Sequence, residues 1–333
     1  LIVSLLMMAP FVCAGVVISI TLVRLDSHIT YFVTLIGSGL AAFLVNMSLG
    51  SFREENSLIF LAALTCLAAC CFIVPYRVGR VRRWLVCLAV LGTLSILAAG
   101  ILNMTYDWFN IVRTKLTRDD PQAEVLFSRS SYVGRYDVLR SSPYSTMLKS
   151  YENGHRSDTI RNLPEENYQI DPRLPNCLIE NPDILIIGLA GDGITKTAKF
   201  LGGEVYGVEI NPAIVSMQTN ELVEWNANSY EGIDVSVMDG RSYVEQSELQ
   251  FDMITLENTH LNRGWGTEGT GREPTPEYLY TSEALHSYLD HLTNNGVMVV
   301  EEPVFISSRE VPVWKLLFTM RQVLLERGYQ QPD

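Results

Sequence analysis

The chain has 333 residues, 47% of them hydrophobic and 19% charged, with a formal net charge of −12. That length admits two structural units, and the charge divides unevenly: residues 1–104 hold 6 Lys/Arg and 3 Asp/Glu, whereas residues 105–333 hold 19 and 34. An acidic surface of that kind repels phosphate backbones, which excludes nucleic acid as an expected partner and leaves a cationic substrate electrostatically permitted.

In chain order, the first elements are four apolar runs, Leu1–Val23, Ile29–Gly50, Leu58–Tyr76 and Leu85–Met104. Each is near the ~20 residues that a helix needs to cross a hydrocarbon core. None contains Asp, Glu, Lys or Arg, and the breaks RLDSH, SFREENS and RVGRVRRW hold every formal charge of this region. The expectation is four transmembrane helices over residues 1–104, surrounded by membrane lipid. Gly37, Ser38, Gly39, Ala41 and Ala42 form small-residue pairs in the second run, which suit close helix packing rather than a transport path. Cys13, Cys66, Cys70, Cys71 and Cys87 fall in this apolar part and only Cys177 beyond it, so neither a disulfide framework nor a zinc pattern is present. The chain opens on Leu1 inside an apolar run, which reads as a fragment of a longer protein.

Residues 105–180 are polar and turn-rich, and the alternation from Tyr132 to Leu139 suits a strand and its hairpin. A linker and a small β-rich lead-in are expected there. Residues 181–333 then alternate short apolar strands (DILIIGL, EVYGVEI, DVSVMDG, FDMITLEN, GVMVVEEP) with helix-length segments. That alternation predicts an α/β Rossmann-like, doubly wound parallel sheet. A helix is expected over Val311–Arg327.

The first strand of this part runs into Gly188-Leu-Ala-Gly191-Asp192-Gly193 and a helix, so the glycines sit where backbone can approach a ligand. The second ends in Val208-Glu209-Ile210, placing a carboxylate about 20 residues after Gly188, where it can accept hydrogen bonds from ribose hydroxyls. The third ends in Asp239-Gly240; the acid can accept from an adenine amino group, cap the next helix, or do both. Three polar features at three consecutive strand ends converge on the crevice where such sheets bind nucleosides. NAD is the main rival ligand, but a dinucleotide site would favour G-x-G-x-x-G, whereas the spacing here is G-x-x-G-x-G.

The segments ILIIGLAGDG, VYGVEINPAIV, MDGRSYVEQS, FDMIT and EYLYTSEALHSYLDHLTNNGVMVV resemble the spermidine synthase family of aminopropyltransferases, within the S-adenosylmethionine-dependent methyltransferase superfamily, from about Phe127 to Asp333. The apolar segment from Ala9 to Val45 resembles helices that precede this domain in bacterial membrane-bound members. The resemblance implies a methyltransferase-type sheet, two strands of which would lie beyond Asp333. It implies S-adenosylmethionine or decarboxylated S-adenosylmethionine as cofactor. Gly188, Gly191, Asp192 and Gly193 would surround the amino-acid or amine end, Glu209 and Ile210 the ribose, and Asp239 and Gly240 the adenine. Glu257 and His260 stand where spermidine synthases place two aspartates, and they are the candidate catalytic pair. Tyr278 and Tyr280 are the candidate substrate-side residues. This chain departs from the family at Glu257 and His260, at Tyr132-Val133-Gly134-Arg135 where a glutamine is usual, and at Thr34 where an intramembrane acid is common. The glycine-rich stretch around Trp265 reads as a mobile lid or a plain surface loop.

Two functions follow as expectations. One is a membrane-anchored transferase with Glu257 as proton acceptor and a small amine, or another methyl or aminopropyl acceptor, as partner. The other is a non-catalytic sensor of a nucleoside or polyamine, or a transport-linked module. Arg77, Arg80, Arg82 and Arg83 favour a cytoplasmic third loop, which would export the soluble domain, while Arg113, Lys115 and Arg118 make the far flank of the fourth run basic as well. The expected location is a multi-pass inner or plasma membrane protein with its soluble domain in the cytoplasm, where the cofactor is made; a homodimer is left open.

Overall fold

A computed structural model of the chain describes residues 19, 23, 26–49, 54–73, 79–106, 122–142, 144–152, 155–161, 179–189, 193–257, 277–301 and 310–330. Most of the first apolar run thus lies outside the described residues. The second forms α1 (Ser27–Leu49), the third α2 (Glu54–Ile73) and the fourth α3 (Gly79–Tyr106). Among the described residues, one window, Ser27–Leu44 of α1, is long and apolar enough to cross a membrane, and it buries none of its residues; the apolar stretches Glu55–Thr65 and Val90–Tyr106 are shorter. α2 and α3 pack as an antiparallel hairpin, with Asn103 Nδ2 near the end of α3 donating to Asn56 Oδ1 near the start of α2 at 2.9 Å.

After α3 the chain builds a four-stranded antiparallel meander, β1 (Glu124–Ser130), β2 (Arg135–Arg140), β3 (Met147–Glu152) and β4 (His155–Arg161), in the order 1-2-3-4. The lead-in strand begins later than the alternation suggests. Tyr132 to Gly134 form the turn, because the Ser131 hydroxyl accepts from Val133 N–H and Gly134 N–H while Ser131 N–H donates to Gly134 O at 2.9 Å. This local side-chain bonding competes with strand extension.

The rest is a parallel sheet of β5 (Ile184–Ile187), β6 (Val205–Glu209), β7 (Asp234–Val237), β8 (Phe251–Leu256) and β9 (Leu292–Val300), in the order 7-6-5-8-9. These are the five apolar stretches predicted from sequence, and the helices between them make the fold α/β Rossmann-like. The connecting helices are α4 (Gly193–Leu201), α5 (Pro212–Thr219), α6 (Gly240–Gln246), α7 (Ser282–Asp290) and α8 (Glu310–Glu326). The starts are locally encoded: Asn211 caps α5 ahead of Pro212, Asp239 caps α6, and Thr281 caps α7 with Glu283 in its first turn.

Apolar residues cover both faces of the parallel sheet. Leu185, Ile187, Val208, Ile254 and Leu256 pack with Val244, Ala284, Leu285, Tyr288, Leu316 and Val323 on the side of α6, α7 and α8. Ile184, Ile186 and Met253 pack with Ile194, Ala198 and Tyr230 on the other side. The meander is fastened by its own cluster, in which Tyr136, Val138, Leu148 and Ile160 meet Ala213, Ile214 and Met217 of α5 and Leu222 beyond it. Fully burying one such aliphatic side chain is worth about 1.5–3 kcal/mol.

Candidate functional site

The carboxyl edge of the parallel sheet gathers the polar residues. Ile187 of β5 pairs with Val208 of β6 on one side and Leu256 of β8 on the other. The next residue of each strand therefore falls in one row: Glu209, Gly188, Glu257. With neighbouring strands about 4.8 Å apart, the two glutamates flank the glycine with their backbones roughly 10 Å apart across the sheet. Strand order reverses at this point, since the chain leaves β5 towards β6 and β7 and later returns to β8. That is the switch position where open α/β sheets form a ligand crevice.

Gly188 has φ 96°, a conformation that strains any L side chain, and its N–H donates to Val208 O at 2.8 Å. The turn it opens continues through Leu189, whose carbonyl accepts from the Tyr230 hydroxyl. Gly191 and Asp192 lie outside the described residues, and Gly193 begins α4.

Glu209 is the last residue of β6 and is buried; its Oε1 accepts from Asn211 N–H at 2.8 Å, which orients the carboxylate. Ile210 beside it is exposed. Asp239 follows β7 and accepts from Ser242 N–H at 2.9 Å, so it caps α6. Gly240 has a packing reason of its own, since a Cβ there would meet Ile187 Cγ2 at 2.3 Å.

Glu257 is 0% exposed. Its N–H donates to Ile187 O at 2.8 Å, and its Oε1 accepts from the Thr255 hydroxyl at 3.1 Å. His260 and Trp265 lie outside the described residues. Tyr278 and Tyr280 belong to the 3-10 turn Glu277–Tyr280 that leads into α7, and Tyr280 is buried in the core cluster with Leu256 and Leu285. The structure thus brings Gly188, Glu209, Asp239 and Glu257 to one edge. Acids at the opposite edge serve the backbone instead: Asp183 accepts from Glu204 N–H, and Asp252 accepts from Asp183 N–H and the Thr293 hydroxyl.

The structure adds residues that sequence reading missed. Asn211 Oδ1 accepts from Ala213 N–H at 3.0 Å and from the Ser131 hydroxyl at 2.8 Å, while its Nδ2 donates to Glu152 Oε1 at 3.3 Å. One side chain therefore joins the cap of α5, the tip of the β1–β2 turn and the end of β3. Asn-Pro was a legible cap signal; its partners 59 and 80 residues away were not. Beside it a cavity of about 230 Å³ lies between Arg129, Ser130, Ser131 and Tyr132 and the start of α5 at Pro212, Ala213 and Ser216.

The sequence matches no protein-family model and no curated protein. Among solved structures, the chain is similar to a spermidine synthase in complex with the transition state analogue AdoDATO, at 19% identity and a TM-score of 0.43, over 60% of this chain and 63% of that one. It is also similar to spermidine synthase from Thermotoga maritima, at 20% identity and a TM-score of 0.44, over 60% of this chain and 64% of that one. The chain thus spans a little under two thirds of either structure.

Proposed function

We propose that the chain is a membrane-anchored, spermidine synthase-like transferase that uses S-adenosylmethionine or decarboxylated S-adenosylmethionine and passes a group to a small amine. The observation that carries this reading is the row of Glu209, Gly188 and Glu257 at the switch point of the sheet, with Asp239 on the next strand. The row of Glu209, Gly188 and Glu257 at the switch point supports a fit to that cofactor. Gly188, Gly191, Asp192 and Gly193 would take its amino-acid or amine end, Glu209 and Ile210 its ribose, and Asp239 and Gly240 its adenine. When bound, it would supply a sulfonium whose neighbouring carbon is open to attack by a neutral amine.

The chain's own task is to hold that amine and take its proton. Glu257 suits the role by position, at a strand end across Gly188 from Glu209, and Thr255 sets the direction of its carboxylate. Tyr278, Tyr280 and His260 would complete the acceptor side. α1, α2 and α3 would anchor the domain as part of a multi-pass membrane segment, with the domain in the cytoplasm.

A specific observation also supports the sensor reading: the complete burial of Glu257, which must be uncovered before it can reach an amine. One experiment separates the two. Calorimetry of the full chain in detergent against both nucleosides is followed by mass spectrometry of products formed with candidate amines. Binding with an aminopropylated or methylated product supports the transferase and names the group transferred. Binding without any product supports the nucleoside sensor, and binding of neither nucleoside removes the transferase and leaves only a polyamine sensor or transport-linked module.

A further inference from the structure

A buried charged cluster joins the helical hairpin to the meander. Arg135, the first residue of β2, donates through Nη1 to Glu55 Oε1 in the first turn of α2 at 2.9 Å and through Nε to Asp137 Oδ1 at 3.0 Å. Its Nη2 donates to the Ser128 hydroxyl at 2.8 Å, and Ser128 donates to Asp137 in turn. The Arg135 and Glu55 side chains are 6% and 0% exposed, and Asp137 is 1% exposed. Exposed ion pairs contribute little, but removing one member of a buried pair leaves a desolvated charge behind and is strongly destabilising. Glu55 is thus no surface contact of a passive anchor.

The cluster lies directly below the turn of the β1–β2 hairpin, where Arg135 pairs with Ser130 and Asp137 with Ser128, and that turn carries Ser131. Three residues, Tyr132 to Gly134, separate Ser131 from Arg135, and the turn they form is closed by the Ser131 to Gly134 backbone bond. Ser131 donates to Asn211 Oδ1, and Asn211 N–H donates to Glu209 Oε1. With the backbone from Arg135 to Gly134 as the link between them, these hydrogen bonds connect the start of α2, through β2 and its turn, to the carboxylate at the end of β6.

We propose that Glu55 is a positioning residue for the nucleoside site: through Arg135 it holds the β1–β2 turn in the place that lets Asn211 orient Glu209. The inference rests on the nucleoside reading of Glu209 given above, yet the coupling between helix and turn stands apart from any ligand. The anchoring helices then set the affinity of the domain they carry, and a change at the start of α2 is felt at the ribose acid.

The test uses the full chain in detergent, as wild type, Glu55→Gln, Asn211→Ala and the double variant. Glu55→Gln keeps the size of the side chain and removes its charge. Coupling of ordinary allosteric size predicts an affinity for S-adenosylmethionine or its decarboxylated form lowered about 5- to 150-fold. The double variant should bind no more weakly than Asn211→Ala, because both changes break one chain of contacts. Glu55→Asp should restore part of the loss, which a general loosening of the fold would not allow. Hydrogen exchange is read on the same samples without ligand, and Glu55→Gln should speed exchange at the Gly134, Asn211 and Ala213 amides while β5 and β8 stay protected. Unchanged exchange at those amides, or a rise shared by the whole sheet, overturns the proposal whatever the ligand does. If wild type binds neither nucleoside, the functional reading of Glu209 fails, and the exchange data still decide the coupling. Tight nucleoside binding by wild type with equal affinity in Glu55→Gln keeps the function and overturns the inference.

Discussion

Glu209 and Asp239 close neighbouring strands but are held differently, and that difference makes them separable by mutation. Asp239 caps α6, so Asp239→Ala should lose about 0.5–2 kcal/mol of stability along with any ligand contact. Asn is an equally good cap. Asp239→Asn is therefore expected to keep the melting temperature and weaken nucleoside binding by about 1–3 kcal/mol, as Glu209→Ala should, both read by calorimetry. Glu257 offers a sharper comparison. Glu257→Gln retains size and an acceptor for Thr255, so nucleoside affinity should stay near wild type while turnover of an amine falls about 10²–10⁴-fold. Equal and zero turnover in both proteins, with normal binding, would favour the sensor. Glu209, Asp239 and Glu257 were legible in the sequence because each ends or follows a short strand run. The burial of Glu257 was not, since it depends on neighbours from other strands.

At the scale of elements, glycine marks a packing limit as well as a site. A methyl group at Gly240 would meet Ile187 Cγ2 at 2.3 Å, so α6 can lie against β5 only while position 240 lacks a side chain. Gly240→Ala should cost about 1–3 kcal/mol by overpacking, measured by thermal or chemical denaturation. The cost should shrink in an Ile187→Ala background, which removes the contacting methyl, and equal costs in the two backgrounds would place the clash elsewhere. All five strands of the parallel sheet were visible as short runs bounded by turn residues, and the central β5, β6 and β8 most clearly, because strands covered on both faces need apolar residues nearly throughout. The meander was less visible. β2 is buried on both faces while carrying Arg135 and Asp137, so its pattern breaks the alternation used to read strands.

For the molecule as a whole, the cluster of Arg135, Asp137, Glu55 and Ser128 also makes stability depend on pH. Burial raises the Asp137 carboxyl above its ordinary 3.8, against the lowering effect of Arg135 and Ser128. Burial lowers the Arg135 guanidinium, but the two acids outweigh it and hold the group above its ordinary value, so it stays charged. A carboxyl raised on folding binds its proton more tightly in the folded state. Its stabilising contribution is complete below the unfolded value of 3.8 and is lost as pH rises through the raised folded value. Asp137→Asn should flatten the melting temperature against pH across that window. A curve that keeps the wild-type slope would show that another group carries it.

The order of the chemistry along the chain came from sequence alone: an apolar helical part, a β-rich lead-in, five strands in a regular α/β rhythm, and acids or glycines at strand ends. These are local properties, set by hydrophobic period and by turn and cap residues that act within a few positions. Tertiary structure decided what depends on distant partners. It set the strand order that lines up Glu209, Gly188 and Glu257, placed Asn211 between three elements, and paired Arg135 with Glu55 across 80 residues. A buried charge finds its partner through the packing of whole elements, and neither spacing nor composition records that encounter.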